Sequence, residues 1–102
     1  MLEKITKKSG IEFLASAKKM EKLFLPLRLE EKIEEIIEEV KQQAVNKLKV
    51  NNNTIVQKNS NSLVLNGSYL YFNDMKEVFK YNNGINAVIV KTDLNIIIYF
   101  ID

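Results

Sequence analysis

Carboxylates and amines are the reactive groups this chain has to offer. Its 102 residues include no cysteine and no histidine, against thirteen Asp and Glu and fifteen Lys and Arg. Without cysteine no disulfide, thiol nucleophile or thiolate metal site can form. Serine–histidine and cysteine–histidine nucleophilic sites are excluded as well, and so are histidine-bound zinc and the Glu-x-x-His di-iron pattern. Acid–base chemistry would have to use Asp, Glu, Lys or Tyr.

Four groupings have a spacing worth weighing. Ser16-Ala-Lys-Lys19 matches the Ser-x-x-Lys nucleophile pattern of penicillin-recognising enzymes. Its companion signatures are missing: Ser60-Asn-Ser62 is not Ser-Asp-Asn, and Lys91-Thr-Asp93 is not Lys-Thr-Gly. The match reads as an accident of a lysine-rich stretch, and no catalytic residue is assigned. Glu31/Glu35 and Glu34/Glu38 stand one helical turn apart and could take Mg²⁺ or Ca²⁺, but only if further oxygens converged on them. A solvated acidic face is expected instead, with no metal and no cofactor. Lys18, Lys19 and Lys22 could meet phosphates. Nucleic-acid binders, however, combine a basic face with arginines or interleaved aromatics, and here Phe13 and Phe24 are expected to face the core. Finally, Tyr69, Tyr71, Tyr81 and Tyr99 are candidates to line a pocket. Strand tyrosines more often pack against a core and reach water with the hydroxyl.

The elements that carry these residues follow from periodicity. Projected at about 100° per residue, Leu29, Ile33, Ile36, Ile37, Val40, Ala44 and Leu48 share one side of a helix over about 27–49. Glu31, Glu34, Glu35 and Glu38 fill the other side. The stacked glutamates repel by roughly 0.2–0.5 kcal/mol a pair, so burial of the aliphatic stripe has to hold this helix. Before it, Ser9-Gly-Ile-Glu12 has capping-box spacing and opens a helix from about 10 to 25. Lys18, Lys19 and Lys22 fall on its outer arc, and Pro26 ends it. Leu2 and Ile5 suggest a short leading turn.

After Asn51-Asn-Asn53 the period changes to that of strands, at 54–58, 62–65 and 69–72, with Asn66-Gly67 as a hairpin turn. Asp74-Met-Lys-Glu77 is a second capping signature, opening a short helix over 74–81 that stops at Asn82-Asn-Gly84. Strands at 86–91 and 95–101 close the chain. The expected fold is thus α+β in the order α-α-β-β-β-α-β-β, one domain over 1–102. Its two N-terminal helices pack on an antiparallel sheet of about five strands, with a helical half over 1–50 and a strand half over 51–102.

Ala87-Val-Ile-Val90 and Ile96-Ile-Ile-Tyr-Phe-Ile101 do not alternate, and such runs mean cover on both faces. Two long helices can cover one face. A second subunit packed on Ile96, Ile98 and Phe100 would cover the other, which points to a homodimer. The longest apolar run is six residues, against the ~20 a spanning helix needs. The start of the chain lacks the apolar core of a signal peptide, so a cytoplasmic protein without membrane contact is expected.

Net charge is +2, but it lies in blocks: +4 over 1–28, −5 over 29–40, +4 over 41–58. These features lead to a non-enzymatic protein-interaction module. Glu31, Glu34, Glu35 and Glu38 form its candidate partner-binding face, and another protein or a second copy is its partner. The alternative is a nucleic-acid-binding accessory or regulatory protein using the basic face of the first helix. If the acidic face is solvated, Glu35→Lys should leave the thermal midpoint unchanged or slightly raised, because it relieves the 31/35 and 35/39 repulsions. Thermal denaturation followed by circular dichroism checks this, and a large drop would mean that the carboxylate is paired.

Overall fold

The non-alternating C-terminal hairpin forms the middle of the molecule, and every other element is arranged to cover it. A computed structural model describes residues 2–27, 32–50, 56–58, 61–65 and 68–102. The elements are β1 (Leu2–Ile5), α1 (Lys7–Ser16), β2 (Met20–Pro26), α2 (Ile33–Val50), β3 (Val56–Lys58), β4 (Ser62–Leu65), β5 (Ser68–Tyr71), a 3₁₀ turn (Phe72–Asp74), β6 (Glu77–Asn82), β7 (Asn86–Lys91) and β8 (Asn95–Ile101). Among the described residues the strands form an antiparallel five-stranded sheet, β1-β6-β7-β8-β2, and a three-stranded sheet, β3-β4-β5. The chain is α+β, as expected, but helices and strands alternate in its first half. The two helices do not pack together.

They lie instead on opposite faces of the large sheet. On one face Leu14 of α1 joins Met20, Val78, Val88, Val90, Ile97, Tyr99 and Ile101. Leu63, Leu65 and Leu70 of the small sheet close over the same cluster. On the other face Ile33 and Ile37 of α2 pack with Leu25, Tyr81, Ala87, Ile89, Ile96, Ile98 and Phe100. β8 feeds both clusters in alternation, so its unbroken apolar run is what burial on two faces requires. Ile96, Ile98 and Phe100 are 0%, 0% and 2% exposed under α2. Within one chain, α2 supplies the cover that a second subunit was expected to give, and those three side chains are core.

Three expectations fail for one reason: pairing with a buried strand outweighs local helical spacing. Residues 20–26 do not continue the first helix. They run as β2 along the whole of β8, from Met20↔Ile101 to Pro26↔Asn95. Phe13, Ala17, Met20 and Phe24 fit one helical face, but Leu23 and Leu25 also fit one face of a strand at the sheet edge, where proline is tolerated. Residues 77–82 likewise form β6, between β1 and β7, not a helix over 74–81. The leading segment is strand β1, not a turn. Lys18, Lys19 and Lys22 therefore sit on a loop and on β2, not on the face of a helix.

Other local signals hold with shifted detail. α1 is capped by Thr6 rather than Ser9: the Ser9 N–H donates to Thr6 Oγ1 at 3.1 Å. Gly84 turns the β6–β7 hairpin at φ +79°. The Asn66-Gly67 turn lies outside the described residues, as do 28–31 and 51–55. On either side of 66–67, β4 and β5 pair from Leu65↔Ser68.

Gly10 sets how closely α1 approaches the sheet. A Cβ there would lie 2.5 Å from Val78 Cγ1. Gly10→Ala should destabilise the fold by about 1–3 kcal/mol through overpacking. Pairing it with Val78→Ala should recover part of that loss, as chemical denaturation of the single and double variants would measure.

Candidate functional site

Alternation along β5 turns two tyrosines away from the core. Leu70 points inward and is 4% exposed, whereas Tyr69 and Tyr71 are 61% and 47% exposed. Their rings stack on the outer face, with centroids 5.9 Å apart and planes 14° from parallel. The β7–β8 turn lines a cleft with them. Thr92 Oγ1 accepts hydrogen bonds from the N–H groups of Leu94 and Asn95, at 3.2 and 3.1 Å, and this fixes the turn. Leu94, at its tip, is 85% exposed. Between β5 and the turn lies a cleft of about 470 Å³, which Leu70 and Ile97 also line. Asp74 and Asp93 reach the same cleft, and Lys76 stands 3.6 Å from Asp93. Phe24 extends the apolar surface: it is the cross-strand neighbour of Ile97 and is half exposed, with the Lys22 ammonium 5.1 Å from its ring centre.

A second cleft of similar size lies beside α1, at the other end of the sheet. Lys80 lines it with neutral partners. Its Nζ donates to Asn86 Oδ1 at 3.3 Å and to the Tyr81 carbonyl at 3.4 Å, and lies 5.2 Å from the Phe13 ring centre. Burial lowers its pKa. Glu3 and Asp102 line this cleft too, and Asp102 accepts from the Lys18 N–H at 3.0 Å.

The acidic face of α2 divides. Glu31 lies outside the described residues, and Glu34 and Glu35 are exposed. Glu38 is occupied within the fold. The Tyr81 hydroxyl and, at 3.2 Å, the Asn83 amide donate to its Oε1, and Lys41 stands 3.7 Å from its other oxygen. These contacts, the tyrosine's first, lower the Glu38 pKa, and the same hydrogen bond raises that of Tyr81. Glu77 is held similarly on β6: Lys4 and Lys91, 3.3 and 3.5 Å away, lower its pKa. Tyr99 is buried in the core beneath the small sheet, and burial raises its pKa well above the ordinary value. Among the described residues no three carboxylates gather where they could share a cation. No described helix is long and apolar enough to cross a membrane.

Ser16 Oγ donates to the Phe13 carbonyl at 3.1 Å, and Lys18 and Lys19 lie beyond the helix end, so they do not stand one helical turn from it. Of the four tyrosines weighed as pocket residues, Tyr81 and Tyr99 pack into the core as strand tyrosines commonly do, whereas Tyr69 and Tyr71 line a cleft. Its signal was present in the strict alternation Ser68-Tyr-Leu-Tyr71, which puts both rings on one face; the choice of the outer face depends on which side of the small sheet meets the large one. Comparison with known proteins finds no matching family model, no similar curated protein and no similar solved structure.

The depressed carboxyls of Glu38 and Glu77 set an acid limit. Each binds a proton more readily in the unfolded chain, so the stability it contributes is present above the unfolded value of about 4.5 and is lost as pH falls through the lower folded value. Urea midpoints between pH 3 and 7 should fall below about pH 4.5, and less steeply in the Glu38→Gln, Glu77→Gln double variant. At pH 7, Tyr81→Phe should lower the thermal midpoint by a few degrees, because it removes the hydroxyl that donates to Glu38.

Proposed function

We propose that this chain is a non-catalytic protein-interaction module that docks its partner in the tyrosine cleft. The carrying observation is that the exposed Tyr69–Tyr71 stack and the 85% exposed Leu94 line one cleft together with Leu70 and Ile97. Aromatic side chains offer large contact area with few rotatable bonds and are enriched at the buried centres of interfaces. Clustered exposed apolar groups of this kind mark binding surfaces more often than isolated ones do. The polar lining supports the same reading. Asp74 and Asp93 are carboxylates at the cleft; Asp93 already has Lys76 beside it, so Asp74 is the one that suits a cationic partner and opposes a phosphate backbone. Lys18, Lys19 and Lys22, the residues an RNA or DNA partner would need, are not among its lining residues. The exposed Glu34 and Glu35 are secondary candidates on this reading, outside the cleft.

Affinity capture from the native host with the full chain, repeated after nuclease treatment, tests this when run beside two variants. A protein partner that survives nuclease, is lost with Tyr69→Ser/Leu94→Ser and is kept with Glu34→Lys/Glu35→Lys is the expected result. The first variant should fold normally, because both side chains lie mostly in solvent. Loss only with the glutamate variant would move the docking surface to α2. Nucleic acid as the main captured species, lost when Lys18, Lys19 and Lys22 are changed to Gln, would replace this reading with the basic one.

A further inference from the structure

The backbone beside the cleft is as informative as the side chains. The Phe72 N–H donates to the Asn61 carbonyl at 3.1 Å, so 61 and 72 form a hydrogen-bonded pair. The register continues as Ser62↔Tyr71, Leu63↔Leu70 and Val64↔Tyr69. Hydrogen-bonded and non-hydrogen-bonded pairs alternate along an antiparallel ladder. Leu70 therefore turns its N–H and C=O toward β4, and Tyr69 and Tyr71 turn theirs outward. β5 is the last strand of its sheet, and no described residue pairs with that outer edge.

The other edges are blunted in the usual ways, with charge or proline. β1 carries Glu3 and Lys4, β2 carries Lys22 and Pro26, and β3 ends on Lys58. β5, Ser68-Tyr-Leu-Tyr71, has neither charge nor proline, and it is this strand that borders the cleft. Such an edge is a template for another strand.

Resting on the docking reading above, we infer that the partner enters as an extended peptide segment that adds a fourth strand to β5. That segment hydrogen-bonds to the outward N–H and C=O groups of Tyr69 and Tyr71. It places apolar side chains on Leu70 and Ile97 and a lysine or arginine against Asp74, beside the Asp93 carboxylate that Lys76 already meets. The charge of the lining selects a cationic segment. The second wall, the Thr92–Asn95 turn, selects a single strand over a second copy, whose β4 would follow its β5 at about 4.8 Å toward that wall.

Proline separates the backbone contribution from the ring. Tyr71 has φ −85°, close to the value proline fixes, and its N–H faces outward, so Tyr71→Pro is compatible with the β4–β5 ladder. Tyr71→Ala removes the ring alone. A random decapeptide display library is panned against the full chain, and enriched peptides are resynthesised and titrated against the wild type and both variants. Expected are peptides with Lys or Arg among alternating apolar residues, bound less tightly by Tyr71→Ala. Tyr71→Pro should weaken them about fivefold to tenfold further, the effect of about 1–1.4 kcal/mol from one hydrogen bond.

Amide hydrogen exchange on the wild type gives a second readout that does not depend on either variant folding. Bound peptide should protect the Tyr69 and Tyr71 amides more than those of β1 or β2. Equal weakening by Ala and Pro, with no added protection at 69 and 71, would overturn strand addition and leave the docking surface standing. An empty selection, or peptides indifferent to both variants, would remove both. A wild-type dimer in sedimentation equilibrium that Tyr71→Pro dissolves and Tyr71→Ala keeps would make the occupant a second copy, overturning the partner assignment.

Discussion

Burial of β8 on both faces is the constraint on which the rest of the structure depends. Six consecutive apolar residues, Ile96–Ile101, cannot alternate between core and water, so each face needs its own lid. Fully burying one isoleucine contributes about 1.5–3 kcal/mol, and the strand holds four. The chain meets the demand by placing β8 inside the large sheet, with β7 and β2 as neighbours. α2 then closes one face, while α1 and the three-stranded sheet close the other. Met20–Pro26 becomes a strand under the same demand, since it fills the pairing edge of β8 that β7 leaves open.

The lids are fastened differently, and this decides which surfaces are free. α2 is held by its aliphatic stripe and by Glu38, which reaches across to Tyr81 on β6 and to Asn83 in the following turn. A carboxylate used in this way is part of the scaffold, even though it belongs by sequence to a solvated face. α1 is held by close approach at Gly10. The small sheet is held through Leu63, Leu65 and Leu70, so only one of its faces is committed. Its outer face and its last edge are left over, with Tyr69 and Tyr71 on them. The candidate site is thus a by-product of two-sided cover: the third lid is itself a sheet, and a sheet has two faces and two edges.

Part of this was legible in the residues. The strands at 62–65, 86–91 and 95–101 have the expected bounds, because turn residues bracket them and β-branched or apolar side chains fill them. α2 follows from its stripe, whose period is long enough to admit no strand. Two-sided burial of the last hairpin follows from the absence of alternation. Residues 20–25 and 77–81 read as helical because short segments with apolar positions three or four apart fit both periods, and capping spacings such as Asp74-Met-Lys-Glu77 recur by chance. The partner strands that decide such cases lie far away in sequence: β2 meets β8, and β6 meets β1.

The sequence by itself determined the chemistry this chain lacks, the amphipathic helix, the turn positions and the need to hide β8 twice, since each of these follows from residue type or local period. Only the tertiary structure decided what does the hiding and what is left exposed. Whether Ile98 is covered by α2 or by a second subunit, whether Glu38 is solvated or bonded to Tyr81, and whether Tyr69 and Tyr71 face core or water all depend on contacts between segments tens of residues apart. Local periodicity says that a strand has two faces. It cannot say which of them another layer will cover.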